Sequence, residues 1–136
     1  MTQAYEKPQA VLPEGWKRPK GYANGVVAQG RMLFIAGMIG WDAEERFVSD
    51  DFGPQARQAL QNVADVLKAA GGSGENIVRM TWYVTDKREY MAAAREVGQA
   101  YREIIGSYTI AMTAVEVKAL IEDRAKVEIE CTAVLP

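Results

Sequence analysis

The strongest constraint on this chain lies near its end, where Val127, Ile129, Cys131 and Ala133 alternate with Glu128, Glu130 and Thr132. A period of two belongs to an extended strand whose successive side chains face opposite sides. One face of this strand is therefore apolar and the other carries two carboxylates. Met112-Thr113-Ala114-Val115-Glu116-Val117-Lys118 reads as a second strand with an acid set among apolar residues. The alternation makes Cys131 a small core residue rather than a reactive thiol. It leaves open whether Glu128 and Glu130 lie on a solvated face or serve a site.

The rest of the chain supplies elements for such strands to pack against. Residues 1–21, with prolines at positions 8, 13 and 19, read as an irregular N-terminal arm partly ordered by packing on the body, and residues 22–136 as a single domain. Val26-Val27-Ala28 and Met32-Leu33-Phe34-Ile35-Ala36, separated by Gln29-Gly30-Arg31, predict a hairpin. From Gly53 to Ala70, apolar residues recur at helical steps through Ala56, Leu60, Val63 and Leu67, and Gly71-Gly72 ends the pattern. Ile77 to Thr85 is β-branched and aromatic, as in a strand. Asp86-Lys87-Arg88-Glu89 resembles a capping box opening a second helix, with Tyr90, Ala94, Val97, Tyr101 and Ile104 as its apolar stripe.

That order predicts an α+β domain with two helices on one face of a sheet. Met32, Phe34 and Ala36 face one side of their strand while Leu33 and Ile35 face the other. Both sheet faces are apolar there, and two helices cover only one. An exposed face of several hundred Å² leaves on the order of 10 kcal/mol of burial available, so a partner subunit is expected to take it.

Composition narrows the chemistry. The 136 residues include no histidine and one cysteine, which removes imidazole-based triads, disulfide frameworks and multi-thiolate metal sites. Acid–base work falls to Asp, Glu, Tyr, Lys, the lone Cys or water. A formal net charge of -2 gives no general attraction for nucleic acid, and Lys17-Arg18-Pro19-Lys20 is a short basic run. No apolar run is long enough to span a membrane and no secretory leader pattern begins at Met1, so a cytoplasmic protein is expected. Glu44-Glu45 and Asp50-Asp51 lack the spacing of a calcium loop and read as a solvated loop.

The stretch Ala111-Met112-Thr113-Ala114-Val115-Glu116-Val117-Lys118-Ala119-Leu120, followed by Val127-Glu128-Ile129-Glu130, resembles the C-terminal hallmark of the Rid family. These are reactive-intermediate (enamine/imine) deaminases, also labelled translation inhibitors or L-PSP endoribonucleases. Gly21-Tyr22-Ala23-Asn24-Gly25-Val26, Leu33-Phe34-Ile35-Ala36-Gly37-Met38-Ile39, the helix around Gln55 to Asn62, and Val78 to Asp86 match similar runs in the same order. The resemblance implies a chorismate-mutase-like fold, two helices packed on one face of a mixed sheet, and a homotrimer whose sheets line a barrel with clefts between subunits.

In the deaminases of that family, an arginine in the first C-terminal strand grips the substrate carboxylate. A glutamate in the last strand positions water and moves protons, and a tyrosine near the N-terminus closes the cleft. The resemblance thus implies Glu128 as catalytic and Tyr22, Ala36, Gly37, Met112 and Ala114 as substrate-binding, with no metal and no cofactor. Met112 stands where the arginine belongs, and a thioether cannot replace a bidentate guanidinium. Arg31, Lys118 and Arg124 are the candidates for restoring a cation, none of them a close replacement.

The reading is a hydrolytic deaminase acting on a small-metabolite imine or enamine, with a larger or less carboxylate-dependent substrate than is usual. The alternative is a trimer that binds a small ligand without turning it over. Ribonuclease or translational inhibition is least attractive, because the chain is slightly acidic and has no histidine.

Overall fold

The computed structural model describes residues 4–136; Met1, Thr2 and Gln3 of the expected arm lie outside the described residues. Its main sheet has four strands in the order β3-β6-β4-β5, with β3 Arg31–Ile39, β6 Val127–Leu135, β4 Ile77–Val84 and β5 Ala111–Glu116. β6 runs antiparallel to both β3 and β4, whereas β5 runs parallel to β4. The sheet is mixed, as the resemblance implied, and β4 separates the two C-terminal strands.

Among the described residues three α-helices pack with it: α1 Phe52–Ala69, α2 Lys87–Ala92 and α3 Ala94–Ile104. The helical spacing in α1 turns Ala56, Ala59, Leu60, Val63 and Leu67 inward, each 0–1% exposed. Their counterparts on the sheet are Met80, Trp82 and Val84 of β4 and Val127, Ile129, Cys131 and Ala133 of β6. Each fully buried Leu or Val side chain contributes about 1.5–3 kcal/mol of transfer free energy. At the C-terminus of α1, Gly71 takes a left-handed φ of 85°, and the Gly72 and Gly71 amides donate to Leu67 O and Lys68 O at 2.7 and 3.0 Å. That is a Schellman stop, which the glycine pair makes possible.

The expected second helix is divided. Asp86 caps it by accepting from the Arg88 amide at 2.8 Å, but Glu89 does not reach back to complete a capping box. Glu89 pairs instead with Lys126 at 3.1 Å, tying α2 to the start of β6. At Ala93 the chain leaves helical geometry for one residue, so two expected helices become three.

The expected hairpin between residues 26 and 36 does not form. β2 Gly25–Gln29 pairs with β1 Glu6–Val11 in a separate two-stranded ribbon, while β3 pairs with β6. Part of the N-terminal arm is thus a strand. Gly30 joins β2 to β3 with φ 154°, and a Cβ there would lie 2.4 Å from Leu135 O, so the one-residue bend depends on glycine. The helix-free face of β3 is open, with Phe34 72% and Met32 60% exposed. Beside them on β4 and β6 that face is polar, carrying Arg79, Tyr83, Glu130 and Thr132. No helix among the described residues is long and apolar enough to cross a membrane.

Candidate functional site

Met112 and Ala114 lie on β5, an outer strand of the sheet, in register with Met80 and Trp82 of β4. Paired residues in a sheet project to the same face. Met80 and Trp82 are core residues, so Met112 and Ala114 belong to the helix side. Met112 there lines a cleft of about 390 Å³ between β5, α2 and α3, with Trp82, Tyr90, Tyr101 and Tyr108 among its walls. The Ala23 amide donates to Ile110 O at 2.9 Å and docks the segment before β2 beside the start of β5. This sets Gly21 on the cleft wall and leaves Tyr22 next to it, 42% exposed.

Glu128 occupies the opposite sheet face. It stands between Ile39 of β3 and Tyr83 of β4 in register. A bulge displaces Ala36 and Gly37 in β3, and the Glu128 carboxyl fills the space beside Gly37 that a side chain would need. The Tyr83 hydroxyl donates to Glu130 Oε1 at 2.5 Å. That hydrogen bond, more than burial or the nearby Glu128 charge, pushes the Tyr83 hydroxyl above its ordinary pKa. Glu128 takes no hydrogen bond or ion pair from the described residues.

The six candidates therefore form two groups. Glu128, Gly37 and Ala36 cluster on β6 and β3, whereas Met112, Ala114 and Tyr22 gather at β5. β3 and β5 are opposite edges of the sheet, about 14 Å apart at the usual strand spacing. One subunit does not bring all six together.

The three candidate replacement cations are engaged or distant. Arg31 Nε donates to Pro136 O at 3.1 Å. Arg124 pairs with Asp50 at 2.8 Å and lies over the Phe47 ring. Lys118 follows β5 beside Asp86 and Lys87, away from Met112. The cation that does reach the cleft is Arg102 of α3, which sequence reasoning missed. It follows Tyr101 in the apolar stripe, and the helical period alone assigns it to solvent. Among the described residues, no cluster of acids, cysteine or histidine is suited to a metal ion.

The sequence pattern of the Endoribonuclease L-PSP family matches residues 16–135. The chain belongs to the Rid family. Similar proteins include a RutC family protein of Pyrococcus horikoshii, 32% identical over 126 residues that cover 92% of this chain and 96% of that one. The human 2-iminobutanoate/2-iminopropanoate deaminase is 32% identical over 114 residues, 83% of this chain and 79% of its own length. A solved structure of YyfB, a Rid protein of unknown function from Yersinia pestis, superposes with a TM-score of 0.82 at 30% identity. That match covers 96% of this chain and all of the other. In this Rid protein the cleft is lined by Met112, at the position where the resemblance implies an arginine.

Proposed function

We propose that this Rid protein is a hydrolytic deaminase of a small-metabolite imine or enamine, working in clefts between the subunits of a homotrimer. The observation that carries the reading is the seating of Glu128: its carboxyl rests on Gly37, half-shielded and unpaired, on a sheet face left open by the helices. Exposed Phe34 and Met32 on the same face support its closure by another copy. A seam joining the β3 edge of one subunit to the β5 edge of the next would unite the two groups of site residues.

In the protonated imine, the carbon is electrophilic. Glu128 takes a proton from water as the water oxygen bonds to that carbon, and the C=N π pair moves onto nitrogen. Glu128 then returns the proton to nitrogen, giving a carbinolamine with an ammonium group. The C–N bond breaks with its electron pair leaving on ammonia, while the hydroxyl oxygen closes to a carbonyl and gives its proton to Glu128, which passes it to the departing ammonia. The sum is iminium plus water to carbonyl plus ammonium, with no redox change and no cofactor. A carboxylate is suited to each proton transfer, and such a group typically contributes 10²–10⁴-fold.

The test is ammonia release from imines generated in situ by amino-acid oxidases. Glu128→Gln is expected to lower turnover at least about 100-fold while the fold is retained. A second reading, a trimer that binds a ligand without turnover, is favoured by the replacement of the carboxylate-gripping arginine with Met112. Saturable ligand binding with no ammonia from any imine would establish that reading instead.

A further inference from the structure

We propose that the cleft between β5, α2 and α3 takes a flat aromatic group bearing a single anionic substituent, and that Arg102 supplies the cation that grips it. The walls select the ring. Trp82 and Tyr90 form an edge-on pair, their centroids 6.1 Å apart at 63°, and Tyr101 and Tyr108 form a tilted pair, 5.4 Å apart at 33°. The Tyr101 hydroxyl donates to Ser107 O, which fixes that ring against the loop after α3. Trp82 and Tyr101 are buried and form the floor, while half-buried Tyr90 and exposed Tyr108 offer ring surface to a third ring, an attraction that an aliphatic chain of equal area lacks. Met112 adds a polarizable thioether suited to ring contact. A volume of about 390 Å³ lies within the range of small-ligand pockets.

Among the described residues, Arg102 is the one formally charged residue lining the cleft. Its guanidinium folds back one turn along α3, where Nη1 lies 3.8 Å from the position a Cβ on Gly98 would take. Glycine at 98, itself part of the lining, leaves that side of the helix open. No carboxylate among the described residues lies within ion-pairing distance of Arg102. The adjacent Glu103 is committed to Arg57 at 2.6 Å. One unneutralised, bidentate-capable cation beside an otherwise uncharged aromatic pocket is complementary to one carboxylate or similar anion on an aromatic body. This assignment names the substrate class for the deamination proposed above; it rests on that reading for the chemical step alone and not for the binding.

The experiment is calorimetric titration of the assembled full-length protein with 3-phenylpropanoate, hexanoate and 3-phenylpropan-1-ol. Saturable binding of 3-phenylpropanoate is expected, with hexanoate and the alcohol each weaker. Because Arg102 is exposed, Arg102→Gln is expected to leave the fold intact. It should weaken 3-phenylpropanoate about tenfold or more and change binding of the neutral alcohol less than about threefold. Equal binding of 3-phenylpropanoate by wild type and Arg102→Gln overturns the role of Arg102. Hexanoate binding as tightly as the aromatic acid overturns the ring selectivity. Absence of saturable binding to wild type, the result expected if a second copy of the chain fills the cleft, overturns the site itself. Binding that behaves as expected while the imine of phenylpyruvate releases no ammonia counts against the deaminase reading and leaves this one standing.

Discussion

At the scale of single residues, Gly37 and Glu128 act as one unit. A Cβ on Gly37 would lie 1.9 Å from Glu128 Oε2 and 2.7 Å from its carboxyl carbon. Gly37→Ala must therefore swing the carboxyl away, at little cost to stability because Gly37 is exposed. The expected loss of turnover is about 10–100-fold, since an ångström of misplacement is enough to spoil proton transfer; ammonia-release kinetics with parallel urea melts check it. Cys131 gives a second prediction. Burial pushes its thiol from an ordinary 9.0 up to about 12. The folded chain therefore keeps a proton that the unfolded chain releases between those values. Stability from this group is complete below pH 9.0 and falls as pH rises toward 12, by at most about 1.4 kcal/mol per pH unit. The gap in unfolding free energy between wild type and Cys131→Ala should narrow across that window. The facing of Glu128 and the burial of Cys131 were legible from alternation alone. The role of Arg102 was not, because it depends on a side chain folding back over Gly98 rather than on position in the helical period.

Among the elements, α1 was the most legible, because its stripe and its Gly71-Gly72 stop are local signals that tertiary packing reinforces. The β2–β3 hairpin was misread because strand pairing is nonlocal. Two β-rich runs around a glycine look alike whether they pair with each other or bend apart to find β1 and β6. Gln55 was overlooked as well, since a polar residue on a helix is ordinarily solvated. Here it is completely buried: its Nε2 donates to Ser49 O and Arg124 O at 2.9 and 3.0 Å, and its Oε1 accepts from the Lys126 amide at 2.9 Å. One side chain thereby joins the loop before α1, the helix itself and the entry to β6, one residue from the strand that carries Glu128. Gln55→Ala strands these backbone groups and opens space against Gly40, so a loss of about 2–4 kcal/mol is expected in urea unfolding. A loss below about 1 kcal/mol would mean that water replaces the three bonds.

At the scale of the whole molecule, the division of the candidate site between opposite sheet edges makes assembly and chemistry the same question. Phe34 is 72% exposed on the open face, so a charge placed there is harmless to an isolated subunit and costly in a buried seam. Phe34→Glu is expected to sediment near the 15.0 kDa mass of one chain, and wild type, on the trimer proposed above, near three times that mass. The variant separates the two proposals. Its β5 cleft, with Trp82, Tyr90, Tyr101, Arg102 and Met112, belongs wholly to one subunit, so binding of 3-phenylpropanoate should stay within about threefold of wild type. Ammonia release should fall by about the same factor as in Glu128→Gln, because the isolated subunit holds Glu128 on the far face from that cleft. A folded monomer that still turns over imines would show that no second subunit is needed, and the seam between β3 and β5 would lose its place in the mechanism.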